Sequence, residues 1–252
     1  MPKRGANISL SSYDDIFETD ESRADAQLER VQKIPISELV PFKDHPFKVV
    51  DDEAMLRTTE SIAQYGVLTP LIARPLEDGT YEIISGHRRK HAAEIAGLEK
   101  VPAIIRELSD EDAVDIMIYS NIQRTNVLPS EKANAYKLQM ETMRHQGKKG
   151  SSTPDEVGKK YGDNARKVQR YIRLTYLIPD LLELVDKRKL SMQAGYWISF
   201  LDEPEQNWIL KTYQLYGKLP SCRTAQQLRD QHDEGVMTKN STEGLILGNR
   251  YC

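Results

Sequence analysis

Apolar residues follow two different patterns in the two parts of this 252-residue chain. Up to about residue 146, apolar runs of strand length alternate with helical periodicities, and the runs lie at 34–36, 68–74, 81–84 and 101–105. From Lys148 onward helical segments alone remain, at 155–161, 165–177, 179–187, 191–201, 205–215 and 224–231. The pattern predicts an α+β fold in which a small sheet with helices precedes an all-α part.

Turn and cap residues predict the limits of several elements in the first part. Acids at 51–53 and a glycine at Gly66 bracket a helix. Asp78-Gly79 predicts the turn of a hairpin, and the proline within 39–42 excludes a central strand there. The apolar positions of the helix that we expect to be buried are Met55, Leu56, Ile62 and Ala63.

Two helices separated by a tight turn are predicted in the most basic part of the chain. The first ends at Gly162, and the second covers 165–177 with Val168, Ile172 and Tyr176 facing inward. This order is typical of a helix-turn-helix, whose second helix reads DNA. A helical hairpin with a solvated basic face also fits the pattern. The residues that we expect to contact DNA are Asn164, Arg166, Lys167, Gln169, Arg170 and Arg173.

The net charge of −3 conceals opposite local charges. Residues 13–30 carry seven acids and two arginines, whereas residues 145–190 carry eleven Lys and Arg against six Asp and Glu. An acidic stretch without apolar periodicity favours disorder, and a basic one favours nucleic acid. The predicted organisation is a disordered acidic arm over 1–30, a folded domain over 31–146, a helical DNA-binding domain over 147–234 and a flexible tail over 235–252.

Composition argues against several other classes of protein. No apolar run approaches the length that crosses a membrane, and the first residues lack the apolar stretch of a signal peptide. Cys222 and Cys252 are far apart and outside any metal-ligand spacing, which argues against a disulfide framework or a zinc site. We therefore expect a cytoplasmic protein without a membrane partner.

The segment 83–96, IISGHRRKHAAEIA, indicates an anion site. An apolar strand stops at Gly86 and a helix begins directly after it, so free backbone N–H groups and the positive end of the helix dipole meet there. Arg88 and Arg89 occupy the first turn of that helix, where cations are unfavourable. A multiply charged anion bound between them would explain both arginines.

Four short motifs, in this order, resemble the ParB/Noc family of chromosome and plasmid partition proteins over about residues 34–203. Residues 68–72, LTPLI, are similar to its cytidine-side motif, and 86–92, GHRRKHA, to its phosphate motif GERRxRA. Residues 120–124, SNIQR, resemble its second phosphate motif ENxQR, and 190–195, LSMQAG, resemble the LSxGHA stretch after its helix-turn-helix.

The resemblance implies a CTP-dependent DNA clamp with a small mixed-sheet, sulfiredoxin-like N-terminal domain followed by a helix-turn-helix domain. Such a protein binds CTP with Mg²⁺ and reads a palindromic centromere-like site in double-stranded DNA as a homodimer. It segregates a chromosome, plasmid or mobile element, with a ParA-type ATPase as partner, and associates with the nucleoid or the plasmid. By motif, Asn121 would hold Mg²⁺, and the nucleotide-binding residues would be Thr69, Pro70, Leu71, Gly86, His87, Arg88, Arg89, Asn121, Gln123 and Arg124.

Two positions depart from the motifs of the family. His87 and Ser120 stand where the family pattern has glutamates. Neither side chain supplies a negative charge to assist a metal ion or to orient an attacking water. We therefore expect at most slow CTP hydrolysis and assign no catalytic residue. The family's self-associating C-terminal domain is not recognisable in the sequence.

Two other functions stay open. A nucleotide-independent DNA-binding regulator of the same fold would pair its two arginines with acids of its own, such as Glu82 or Glu94. A sulfiredoxin-like or serine-kinase-like enzyme would need a nucleophilic cysteine or a carboxylate base at the site. Neither Cys222 nor Cys252 is near Gly86 in the sequence.

Overall fold

One mixed sheet organises the first part of the molecule. The computed structural model of the chain describes residues 30–122, 124, 126–145 and 154–248. The sheet has the strand order β1-β5-β3-β4-β2, in which β1/β5 and β3/β4 are antiparallel and β5/β3 and β4/β2 are parallel. Its strands are β1 Val31–Pro35, β2 Leu39–Pro41, β3 Leu71–Pro75, β4 Tyr81–Ser85 and β5 Lys100–Ile105.

Eleven α-helices within the described residues pack on the sheet or follow it. In chain order they are α1 Glu53–Tyr65, α2 His87–Ile95, α3 Asp110–Ile122, α4 Pro129–His145, α5 Pro154–Tyr161, α6 Ala165–Leu174, α7 Pro179–Asp186, α8 Met192–Ile198, α9 Glu203–Tyr216, α10 Cys222–Asp233 and α11 Lys239–Leu247. The α+β prediction is confirmed. No helix among the described residues combines the length and the apolar character needed to span a bilayer.

Both faces of the sheet are buried. Ile83 and Ile84 are neighbours on β4 and are both less than 2% exposed, because successive side chains of a strand point to opposite faces. Ile83 joins a core with residues of α1 and α2, and Ile84 joins a core with residues of α3, α4, α5 and α6. The second core contains residues on both sides of 146, so it does not divide at the domain boundary that we placed there.

Several local predictions in the first part are confirmed. Asp52 caps α1 by accepting a hydrogen bond from the N–H of Met55 at 2.8 Å, and Gly66 ends the helix with a φ of 73°. The hairpin at Asp78 joins β3 to β4, with the Asp78 carboxylate accepting from the Thr80 N–H at 2.9 Å. The segment 39–41 forms an edge strand, as the proline required.

Other predictions in the first part are wrong. Met55 and Ile62 are buried, but Leu56 is 59% exposed and Ala63 is also exposed. These two residues each lie one position beyond a buried one, about 100° further around the helix. The strand predicted from residue 68 begins at Leu71, and Leu68 is 78% exposed.

The helix-turn-helix consists of α5 and α6, and its turn depends on a close backbone contact. A Cβ atom on Gly158 would lie 2.5 Å from the carbonyl oxygen of Asp163, so a larger residue would force the two segments apart. Val168 of α6 is buried, as predicted. The helix ends at Leu174 rather than Leu177, and Tyr176 is 58% exposed instead of facing inward.

The segment predicted as a flexible tail is a helix where the structure describes it. Thr238 caps α11 by accepting from the N–H of Ser241, and Gly248 ends it in a left-handed conformation. Thr242 is buried, and Leu245 and Ile246 pack against the third core, which is formed by α7 to α10. Tertiary burial of a short apolar stretch therefore outweighs the three glycines of the segment. The acidic arm, apart from Arg30, lies outside the described residues.

A buried carboxylate holds the helix-turn-helix against α4. Asp163 accepts hydrogen bonds from the Tyr136 hydroxyl at 2.6 Å and from the ammonium groups of Lys132 and Lys167 at 2.7 Å each. Burial alone would raise the pKa of Asp163, but these three partners lower it to about 2. The carboxylate is therefore ionised at neutral pH and stabilises the junction between α4 and α6.

We expect Asp163→Asn to lower the free energy of unfolding by about 2 kcal/mol at pH 7, because the neutral amide loses both charge-assisted bonds. The folded pKa of about 2 lies below the ordinary value of 3.8. This stabilisation is therefore present above about pH 4 and is lost as the pH falls towards 2. Urea unfolding at pH 7 and at pH 3 measures the change.

Asp155→Asn is the matched control, because Asp155 forms an exposed ion pair with Lys159 within α5. Such an exposed pair contributes little to stability, because solvent and salt screen it. Equal losses of stability in the two variants would contradict the role assigned to Asp163.

Candidate functional site

The corner between β4 and α2 is fixed by one glycine. Gly86 has a φ of 111°, a left-handed conformation that favours glycine. A Cβ atom at this position would lie 2.8 Å from Cγ of Leu71 in the core beneath it. Gly86 provides no side-chain cap, and the first turn of α2 contains no acid. The positive end of the α2 dipole is therefore not compensated by an acidic side chain of that turn.

The two arginines of α2 are held in different ways. The Arg89 guanidinium donates to the carbonyl oxygens of Thr69 at 2.5 Å and Pro70 at 2.7 Å, and burial lowers its pKa. Arg88 forms an ion pair with Asp52 at 3.1 Å. Among the described residues, Arg89 has no carboxylate partner, so its positive charge is not neutralised within this part of the chain.

The two glutamates that could have paired with these arginines bind other residues. Glu82 is buried and lies 2.7 Å from Arg74, and Glu94 lies 2.5 Å from Lys90. The pairing of Arg88 and Arg89 with Glu82 or Glu94 is therefore wrong, and the acid of the chain that pairs with Arg88 is Asp52.

The fold brings the two predicted phosphate motifs to one cavity of about 170 Å³. Ser120 and Asn121 from the end of α3, together with Arg124, lie across it from Gly86. Asn121 donates to the carbonyl oxygen of Met117 at 2.9 Å and accepts a long contact of 3.5 Å from Arg124. Gln123 lies outside the described residues. The full lining is His45, Phe47, Lys48, Val49, Ser85, Gly86, His87, Arg88, Arg89, Ser120, Asn121 and Arg124.

Sequence reasoning missed one wall of this cavity. His45, Phe47, Lys48 and Val49 come from the loop between β2 and α1, which carries no motif and no periodicity. A buried carboxylate of α4 holds this loop, because Glu131 accepts from the Lys48 N–H at 2.8 Å. The contact joins residues 83 positions apart, so no local signal in the sequence could have predicted it.

Two imidazoles lie close together in the lining of the cavity. The rings of His45 and His87 lie 3.8 Å apart between centroids. Burial lowers the pKa of His87 to about 3, and the neighbouring His45 and Lys90 contribute to the shift. His87 is therefore neutral at pH 7. His45 binds the carbonyl oxygen of Phe47 through Nδ1 at 2.7 Å, and its buried Nε2 has no hydrogen-bond partner among the residues that the structure describes.

The donor set of this cavity does not fit a magnesium ion. Mg²⁺ prefers oxygen ligands and is usually held by one or two carboxylates together with substrate phosphates. None of the described lining residues is an acid. The candidate oxygens are neutral, and the Ser120 hydroxyl already donates to the carbonyl of Met117 at 3.0 Å.

A second cavity of about 430 Å³ adjoins the first at Arg89. It is lined by Thr69, by neighbouring residues of the segment 66–68 and by one face of α1. Thr69, which the resemblance predicted to line a nucleoside, lines this second cavity. Leu71, predicted to line it too, instead has a fully buried side chain beneath Gly86, and Pro70 contributes its carbonyl oxygen to Arg89.

The exposed face of α6 carries most of the residues predicted to contact DNA. Arg166, Lys167 and Gln169 are exposed. Asn164 is also exposed, and its side chain caps the helix by accepting a hydrogen bond from the Lys167 N–H at 2.9 Å. The cap sets the N-terminal end of α6 at the surface, the end from which a recognition helix contacts bases.

The last two predicted DNA-contacting residues are partly buried against aromatic rings. The Arg170 guanidinium lies 5.9 Å from the ring of Tyr196. Arg173 lies 4.0 Å from the ring of Phe200 and donates to the carbonyl oxygen of Ser199 at 2.9 Å. Arg173 therefore joins α6 to the end of α8, a packing role that the sequence did not predict.

Comparison with known proteins identifies relatives of the chain. The model of the ParB N-terminal domain family matches residues 20–122. The chromosome-partitioning protein Spo0J of Thermus thermophilus is 30% identical over 201 residues, which are 80% of this chain and 71% of that protein. Across four curated relatives, the chain spans between 57% and 71% of the relative's own length.

Two crystal structures of the C-terminally truncated ParB of Caulobacter crescentus are also similar. The one complexed to the centromeric parS site is 26% identical, with a TM-score of 0.48, and covers 86% of this chain and 99% of that chain. The one complexed with CTP-γ-S is 29% identical, with a TM-score of 0.36, and covers 69% and 94%.

The chain belongs to the ParB family of partition proteins, because it matches the model of the N-terminal domain and is 30% identical to Spo0J over most of both chains.

Proposed function

We propose that this chain is a DNA-binding partition protein whose N-terminal part binds CTP and whose helix α6 contacts a palindromic site in double-stranded DNA. One observation carries the proposal: two motifs that are distant in the sequence meet at one cavity with four cationic side chains. The cations are Lys48, Arg88, Arg89 and Arg124, and the described lining contains no acid. Such a set suits the phosphates of a nucleotide.

The adjoining cavity at Thr69 supports a nucleoside rather than a free phosphate as the second part of the ligand. Arg89 lines both cavities, so a triphosphate in the first and a nucleoside in the second would lie on either side of one guanidinium. The related Caulobacter protein complexed with CTP-γ-S supports cytosine as the base of the nucleotide.

The proposed role is segregation of a chromosome, plasmid or mobile element as a CTP-gated clamp. The Thermus relative is a chromosome-partitioning protein, which favours a chromosome over a plasmid or a mobile element as the DNA that is segregated. A palindromic DNA site is read by two protomers related by a two-fold axis, so the proposal includes a homodimer. A ParA-type ATPase is the proposed protein partner.

Hydrolysis of CTP in this site would be slow at most. A general base or water-positioning carboxylate normally orients the attacking water in phosphoryl transfer. The described cavity offers the neutral His87 and the hydroxyl of Ser120 instead. Binding and release of the nucleotide, more than its turnover, would then control the clamp.

We expect Arg88→Ala to weaken CTP binding about tenfold, because a charge-assisted hydrogen bond to phosphate contributes roughly 1.5–3 kcal/mol. Isothermal titration calorimetry of the full chain with CTP measures the affinity. Lys90→Ala is the matched control, since Lys90 is a cation of the same helix that pairs with Glu94 and does not line the cavity.

Titrations with ATP, GTP and UTP test the choice of base. Absence of binding to every nucleotide would contradict the nucleotide site and support a nucleotide-independent regulator. Equal weakening by Arg88→Ala and Lys90→Ala would instead indicate that only the overall charge of α2 matters.

We expect Arg166→Ala to weaken specific DNA binding about tenfold, because one base or phosphate contact on a recognition helix contributes roughly 1–3 kcal/mol. The probe is a duplex selected from random sequences by the unmodified protein, and its affinity is measured by fluorescence anisotropy at several salt concentrations. If Arg166 contacts a phosphate, the salt slope falls by about one as well.

Lys33→Ala is the control for DNA binding. Lys33 is exposed on β1 at the far edge of the sheet, and its removal changes the net charge by the same amount. Unchanged affinity in Arg166→Ala, or the same loss in Lys33→Ala, would contradict α6 as the recognition helix.

A further inference from the structure

The cavity at Gly86 lacks the groups that usually hold a divalent cation. Its neutral oxygens are engaged within the protein, since Ser120 donates to the Met117 carbonyl at 3.0 Å and accepts from the Asn121 amide at 3.3 Å. The oxygen of Asn121 faces the Arg124 guanidinium at 3.5 Å, which is a position unfavourable for a metal ion beside a positive charge.

The carboxylates next to the cavity are also engaged. Asp52 accepts from the Met55 N–H at 2.8 Å and pairs with Arg88. Glu131 accepts from the N–H groups of Lys48 at 2.8 Å and Leu128 at 3.0 Å, and it is buried beneath the loop. Recruiting either acid to a metal would break a helix cap or release the wall of the cavity.

The histidines do not replace a carboxylate. His87 is neutral because burial lowers its pKa to about 3, and its Nε2 lies 3.4 Å from the Phe42 N–H. Mg²⁺ takes oxygen in preference to a neutral imidazole. The described lining therefore carries no negative charge to attract a divalent cation.

Positive charge is abundant in the same cavity. Lys48 and Arg124 are exposed at its rim, and Arg88 and Arg89 lie at its inner side. Asp52 pairs with Arg88, so these four cations less one acid leave about three net positive charges beside the phosphates. They can neutralise most of the charge of a triphosphate, in the place where a metal ion would otherwise do so.

We propose that this cavity binds the triphosphate of a nucleotide without a divalent cation, with Lys48, Arg88, Arg89 and Arg124 as its counter-ions. The inference rests on the nucleotide binding proposed above and specifies its chemistry. It also means that the Mg²⁺ site implied at Asn121 by the family resemblance does not operate in this chain.

The test compares CTP binding by the full chain in excess Mg²⁺ and in EDTA at equal ionic strength. We expect the two dissociation constants to agree within about threefold, because no bond to the metal is lost. Binding of CTP only when Mg²⁺ is present would overturn the inference and leave the proposed nucleotide site intact. Absence of binding under both conditions would overturn the proposed nucleotide site and this inference together.

A gain of metal dependence provides the second test. Ser120→Glu adds a carboxylate at an exposed position on the rim of the cavity. We expect CTP affinity to fall about tenfold in EDTA, through repulsion from phosphate, and to recover about tenfold on addition of Mg²⁺. Equal affinity with and without Mg²⁺ in this variant would overturn the placement of the phosphates beside Ser120.

Tyr119→Glu is the matched control, because it adds the same charge at the adjacent position of α3. Tyr119 is 60% exposed and does not line the cavity. We expect its affinities to match those of the unmodified protein in both buffers. Metal dependence of equal size in Tyr119→Glu would attribute the effect to general charge and contradict the inference.

Discussion

The left-handed backbone at Gly86 is the constraint on which the proposed nucleotide site depends. With a φ of 111° and Leu71 directly beneath, this position has no room for a side chain. The backbone can therefore turn from β4 into α2 within one residue, and the first turn of α2 lies against the segment before β3. Arg89 then reaches the carbonyl oxygens of Thr69 and Pro70, so one side chain fixes the boundary between the two cavities.

Helix α4 connects this corner to the rest of the molecule through buried polar side chains. Glu131 holds the loop that carries Lys48, Tyr136 donates to Asp163 at the turn before α6, and Ser130 donates to Asp186 at the end of α7. Each of these groups is expensive to leave unpaired in the interior. A single helix thus sets the cavity wall, helix α6 and the following helical part relative to one another, and one core runs through the boundary that the sequence suggested.

Local signals in the sequence predicted the elements well, and they predicted side-chain environments less well. Cap and turn residues at Asp52 and Asp78 act as expected, because their hydrogen bonds join residues two or three positions apart. Leu56 was expected to be buried and is exposed, since burial depends on which neighbours cover a face. The segment 239–247 was expected to be loose and forms a helix, because α9 and α10 provide a surface for Leu245 and Ile246.

The sequence by itself determined the α+β order, the glycine corner with its two arginines and the basic second helix, because each depends on backbone preferences and charges within a short stretch. Tertiary structure alone decided which acids neutralise which bases, and it directs Glu82 and Glu94 away from Arg88 and Arg89. It also brought His45 and Lys48 to the cavity and buried Leu71 and Arg173 in packing contacts. These outcomes depend on contacts between residues far apart in the chain, for which neither hydrophobic period nor motif carries information.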